Sequence, residues 1–159
     1  MQNIIITGAS HGIGRAIAKK LSKKYHIINI DIVENKMDKV DFYKCDLSDK
    51  SKLLKTIEKI KTNIDSLYAR INNAVLFSSK SLEKQTLEEW ENIISINLTA
   101  PYILSKEFAS MLKQSKGHII NISSTRASMS EAGTEAYSSS KGGISSLTHA
   151  LAITLSPDV

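Results

Sequence analysis

A serine, a tyrosine and a lysine fall at spacings that suit proton chemistry. Ser124 follows an apolar run containing Ile119, Ile120 and Ile122, and Tyr137 stands four residues before Lys141 where a helical pattern begins. Residues i and i+4 share one helix face, so Tyr137 and Lys141 project together. A free tyrosine ionises near about 10, and bringing that to about 7 takes roughly 4 kcal/mol. One cation about 4 Å away, at an effective dielectric of about 20, supplies roughly that much. Lys141 can therefore poise Tyr137 as a proton donor or acceptor near neutral pH, with Ser124 holding a substrate oxygen. A lone Tyr-x-x-x-Lys is more often a core aromatic beside a solvated charge, so the neighbouring motifs decide.

Those motifs sit on an alternation of strands and helices. Residues 3–7 (NIIIT) read as a strand apolar on both faces, as in a buried parallel sheet. A glycine-rich turn follows, Gly8-Ala9-Ser10-His11-Gly12-Ile13-Gly14, and then a helix with Ile13, Ala16, Ile17 and Leu21 as its expected buried stripe. A turn of this kind between strand and helix brings backbone N–H groups to a pyrophosphate; the competing reading is a purely structural turn. His11 reads as a loop residue rather than a metal ligand.

Residues 26–30 form a second strand closed by Asp31, 17 residues after Gly14. At about that spacing a carboxylate accepts the ribose hydroxyls of an adenosine, and it would repel a 2′-phosphate. NAD is therefore favoured over NADP, unless Asp31 merely ends a strand. Residues 42–45 make a third strand, after which Asp46 and Leu47 meet the cofactor or Asp46 only starts the next turn. Leu53, Ile57 and Ile60 mark the next helix. A fourth strand over 67–71 ends at Asn72-Asn73-Ala74, where cofactor contact is the preferred reading. Helix is expected over 82–100, with Trp90 in the core. Pro101 should break it before a further helix over 102–113, and Asn97 near that break reads as a cap or as a site residue. A fifth strand, 118–123, leads to Ser124. The last helix, from about 136 to 155, buries Ile144, Leu147, Leu151 and Leu155, and its Gly142 and Gly143 permit close packing. The alternation implies an α/β fold, a doubly wound parallel sheet of order 3-2-1-4-5 with ligands beyond the carboxyl ends of the strands.

Composition is that of an ordinary soluble domain: 159 residues, 42% hydrophobic and 23% charged, with net charge +5. The lysines cluster on helical polar faces, so a solvated surface is favoured over nucleic-acid binding. A single cysteine, Cys45, excludes a disulfide framework and a Cys-rich metal site and suits a reducing, cytoplasmic setting. No metal site and no membrane segment are expected.

Taken together, these motifs resemble the short-chain dehydrogenase/reductase family, over essentially the whole chain. Thr7 to Gly14 match its TGxxxGxG turn, Asn72-Asn73-Ala74 its NNAG motif, and Tyr137 to Lys141 its YxxxK signature. Val75 stands where NNAG has glycine, and residues 65–71 form a longer entry to the fourth strand than is usual. Ser124 lies 13 residues before Tyr137, the family's usual offset, and is chosen over Ser123 for that reason. The resemblance implies hydride transfer between a nicotinamide cofactor, NAD rather than NADP, and an alcohol or carbonyl compound. In it Tyr137 passes the proton, and Lys141 lowers the tyrosine's pKa and holds the nicotinamide ribose. Ser124 orients the substrate oxygen and Asn97 fixes a water. The alternative is a non-catalytic dinucleotide-binding or scaffold protein. Family members continue with two more strands and a substrate lid, so a C-terminally truncated Rossmann domain, nearly inactive alone, is expected. A dimer or tetramer is expected for a full-length form.

Overall fold

The computed structural model describes residues 1–159. Five strands form one parallel sheet: β1 (Asn3–Thr7), β2 (His26–Asp31), β3 (Val40–Lys44), β4 (Ala69–Asn72) and β5 (His118–Asn121), in the order β3-β2-β1-β4-β5. This is the expected order. The register runs Ile5 opposite Ile28 on one side and Arg70 on the other, with Arg70 opposite Ile119. The helices are α1 (Gly12–Leu21), α2 (Lys50–Asn63), α3 (Leu87–Ile94), α4 (Ala100–Ser115) and α5 (Glu135–Leu155).

Two cores flank the sheet. The larger gathers Ile5, Ile28 and Ile30 with Leu53, Ile57 and Ile60 of α2 and Leu104, Phe108 and Leu112 of α4. The smaller sets Ile4, Ile6, Ile27 and Ile71 against Ala18 of α1. Successive strand residues face opposite sides, so the isoleucine runs of β1 and β2 feed both cores at once. Ile120 of β5, an edge strand, is 43% exposed. No helix is long and apolar enough to cross a membrane.

Several expectations shift. In α1 the buried positions are Gly14 and Ala18, while Ile13 and Ala16 are exposed. The first helical turn lies at the mouth of a cleft, so Ile13 lines that cleft instead of packing on the sheet. Helix begins at Leu87, not 82, because Thr86 and Glu89 form a capping box that fixes the start there. Trp90 lies in neither core and is 37% exposed.

Pro101 does not break the chain into two separated helices. Residues Ser95–Thr99 form a π-helical turn, in which the Ala100 N–H reaches back to the Ser95 carbonyl, and Pro101 then sits in the first turn of α4. Proline has no N–H to give, and it follows a widened turn in which the regular i→i−4 ladder is already interrupted. The Gly142–Gly143 pair yields one close contact: a Cβ at position 143 would come within 2.7 Å of the Leu98 side chain. In α5, Ile144 and Leu155 are fully buried and Leu147 and Leu151 half so.

Candidate active site

All the motifs converge at the carboxyl ends of the strands, around the gap where chain order reverses between β1 and β4. A cleft of about 600 Å³ opens there. It is lined by Gly8, His11, Gly12 and Ile13 of the first turn and by Asp31, Asp46 and Leu47 beyond β2 and β3. Asn73 and Ala74 beyond β4 line it too, together with Cys45, Val75, Leu76 and Ile96.

The glycine-rich turn is held from below. Asn29, fully buried on β2, accepts a hydrogen bond from the Ala9 N–H (3.0 Å) and donates to the Ser10 hydroxyl (2.9 Å). Ser10 in turn donates to the Val33 carbonyl. Ser10 and Gly14 are buried, so they shape the cleft without lining it. Gly8 has φ +70°, and a Cβ there would lie 2.8 Å from the Ala74 Cα. A Cβ on Gly14 would overlap the Gly8 carbonyl and the Asn73 side chain. Asn73 locks this contact by donating to the carbonyls of Thr7 (3.1 Å) and Gly8 (3.0 Å).

At the start of α1, His11 occupies the cap position but its side chain makes no capping bond. The first helical N–H groups therefore stay available, beside a partial positive charge. A Cβ added at Gly12 would meet nothing within 4 Å. This combination of open space, free N–H groups and a helix dipole fits a phosphate. Asp31 accepts from the Ser10 N–H (3.0 Å) through one oxygen and from the Ile32 N–H (2.7 Å) through the other. These bonds fix its carboxylate at the cleft wall. Asp46 accepts from the N–H (2.9 Å) and hydroxyl (2.7 Å) of Ser48, so it starts the next turn and lines the cleft as well.

The second half of the site lies on α5 and the turns after β4 and β5. Lys141 is 5% exposed, and its Nζ donates to the Ile122 carbonyl (2.7 Å). No carboxylate pairs with it, and burial pulls its pKa below the usual lysine value. The ammonium lies 5.8 Å from the centre of the Tyr137 ring. Tyr137 is half-buried, and Phe77 packs edge-on against it with ring centres 5.0 Å apart. The Tyr137 hydroxyl makes no hydrogen bond to Ser124 or to Lys141; the lysine is held by the strand end and the serine by its own turn. Ser124 accepts from the Arg126 N–H (3.2 Å) and caps the short 3-10 turn Thr125–Ala127. Ser123 lies against α5, 3.1 Å from the Ser145 hydroxyl.

Asn97 sits in the π-helical turn and is 3% exposed. Its side chain accepts from the Leu76 N–H (2.8 Å) and donates to the Leu76 carbonyl (2.9 Å) and the Ser140 hydroxyl (3.0 Å). Ser140 donates to the Tyr137 carbonyl (2.7 Å). Asn97 is thus a clamp that joins the turn after β4 to the first turns of α5, where the cap reading expected only a local bond.

Sequence reasoning passed over three residues here. Asn29 and Ser140 carry no motif of their own, since a lone Asn in a strand or Ser in a helix has many bland roles. Phe77 left a readable signal, an apolar run of Val75, Leu76 and Phe77 directly after an Asn-Asn turn. Cys45 is small and buried, and burial pushes its thiol pKa up.

Comparison with known proteins agrees with the geometry. The short chain dehydrogenase family profile matches residues 2–159. An uncharacterized oxidoreductase of Thermotoga maritima is 41% identical over 96% of this chain and 64% of its own length. This chain therefore spans somewhat less than two thirds of that relative. Among solved structures, an apo SCOR enzyme from Clostridium thermocellum is 38% identical with a TM-score of 0.93, covering 99% of this chain and 68% of that one. A 4-hydroxyisoleucine dehydrogenase complexed with NADH is 30% identical, TM-score 0.93, covering 99% and 71%. With a sheet of matching order, a cleft at its reversal point and a family profile along nearly its whole length, the chain belongs to the short-chain dehydrogenase family.

Proposed function

We propose that this chain carries the cofactor and proton-transfer site of a nicotinamide-dependent oxidoreductase acting on an alcohol or its carbonyl counterpart, with NAD preferred. The observation that supports this most is Lys141: a buried ammonium without a counter-ion, held on the Ile122 carbonyl just past β5 and beside a tyrosine. The bound nicotinamide would supply or accept the hydride. Everything else falls to the protein. The turn from Gly8 to Gly14 and the first N–H groups of α1 hold the pyrophosphate. Asp31 would accept from the adenosine ribose, and Asp46 and Leu47, which line the same cleft, would hold the adenine. Asn73 and Ala74 keep the wall close. Tyr137 gives a proton to, or takes it from, the substrate oxygen, which Ser124 orients. Lys141 stabilises the tyrosinate and would hold the nicotinamide ribose, and Asn97 holds Leu76 and α5 in place around it.

Binding of NADH and NADPH to the chain, followed by nicotinamide fluorescence, tests the cofactor half. NADH is expected to bind about tenfold more tightly than NADPH, since Asp31 would face the 2′-phosphate. Asp31→Asn should narrow that gap. Equal binding of both by the unaltered chain would remove the preference, and binding of neither would remove the site.

A further inference from the structure

Two loops pack beside α5, and the first reaches Tyr137. One follows β4 and carries Val75, Leu76 and Phe77; the other follows Ser124 and carries Arg126 and Met129. They are joined, since the Lys80 N–H donates to the Gly133 carbonyl (3.1 Å). Two features of these loops bear on what can enter.

The first is a fixed apolar surface. Asn97 holds both backbone groups of Leu76, so the next residue is set in place. Phe77 is 57% exposed yet rests against the Tyr137 ring. Val75, Leu76 and Met129 are exposed as well. An exposed aromatic clamped beside a reacting group is a costly use of apolar area unless something covers it.

The second is the state of the cations. Lys80 is paired with Glu89, and Arg126 with Glu131. Arg126 also donates to the Met129 carbonyl (3.3 Å), so its guanidinium is spent within its own loop. An anionic substrate drawing on Lys80 or Arg126 would have to break one of these pairs, and an uncharged one would not.

From these two features, and resting on the function proposed above, we infer that the site takes a neutral substrate with an apolar body next to the reacting carbon, and that Phe77 is its main specificity contact. A molecule whose oxygen reaches the Tyr137 hydroxyl lays its body along the Phe77 ring and the neighbouring apolar side chains. Carboxylate-bearing or phosphate-bearing substrates find Lys80 and Arg126, the cations nearest the join of the two loops, already paired.

Two ketones of similar reach test this by calorimetry, with and without NAD: 4-phenyl-2-butanone, which is neutral and aromatic, and 4-oxopentanoate, which is anionic. The neutral ketone should bind at least about tenfold more tightly. Phe77→Ala should remove most of that advantage, and Phe77→Leu should keep most of it. Circular dichroism confirms that each variant is folded; the wild-type comparison stands whether or not they are. Equal or tighter binding of 4-oxopentanoate, binding of neither ketone, or a Phe77→Ala variant that binds like wild type would overturn the inference. NADH oxidation with the same ketone is read separately. Selective binding without turnover would keep this inference and remove the proposed reaction.

Discussion

Lys141 and Arg70 are both buried cations without carboxylate partners, but they have different consequences. Lys141 lies beside a tyrosine, with its ammonium on the Ile122 carbonyl. Arg70 lies in the middle of β4, wholly buried, and donates to Asn72 and Ser105 while its Nε finds no partner. Burial pushes its pKa well down from the usual arginine value, to about 9, so it remains charged at neutral pH. Because the folded-state value is the lower one, folding is penalised wherever the group is protonated. The penalty is full below about 9 and fades as pH rises above it toward the usual arginine range. Arg70→Met removes the penalty but leaves the Asn72 oxygen without its donor, a loss of about 1–3 kcal/mol. Replacing a buried charge with an apolar side chain commonly gains about 1–4 kcal/mol for paired ions, and an unpaired one should gain at least as much. Arg70→Met is therefore expected to be at least as stable as wild type in urea at pH 7, by up to about 3 kcal/mol, with a smaller gain at pH 10. A less stable variant at pH 7 would show that the arginine's hydrogen bonds outweigh its desolvation.

Among the elements, the π-helical turn Ser95–Thr99 decides how the site is held together. It shifts the helix register so that Asn97 points inward, as such turns often do at functional sites. Asn97→Ala would leave the N–H and carbonyl of Leu76 and the Ser140 hydroxyl short of partners. A stability loss of about 1–3 kcal/mol is expected. Hydrogen exchange should quicken at Leu76 and Phe77 more than in β1 or α2. Unchanged exchange at Leu76 would mean that the clamp does not control the loop. Much of this level was legible in the sequence. Apolar runs located the five strands, and Leu53, Ile57 and Ile60 gave the buried face of α2. The π-helical turn was not legible, because the pattern before Pro101 reads the same for an α-helix that ends and for one that widens by a residue. Ile13 misled for a related reason: its 3.6-residue spacing fits the α1 stripe, yet the turn that delivers it faces the cleft. Trp90 misled because an aromatic at a helical spacing carries no mark of whether a neighbour will cover it.

For the molecule as a whole, sheet order explains why residues as far apart in sequence as Gly8, Asp31, Asn73, Ser124 and Tyr137 gather at one end. Parallel strands all release their carboxyl ends on the same side, and the reversal beside β1 leaves a gap between the loops. The glycine turn, Asp31 and the Tyr-x-x-x-Lys pair could be placed there from sequence because each has a spacing tied to a task. Phe77 and the ion pairs of Lys80 and Arg126 could not, because they depend on two loops of different strands meeting at Lys80 and Gly133.

Tyr137→Phe tests the central claim most directly, since it deletes one oxygen and leaves the ring to pack on Phe77. Oxidation of NADH by 4-phenyl-2-butanone is measured under single-turnover conditions, so that slow chemistry still registers, alongside an NADH binding titration. The expected result is a rate about 10²–10⁴-fold below wild type with NADH affinity within about threefold. A variant that oxidises NADH as fast as wild type would contradict the assignment of Tyr137 as the proton-transfer group.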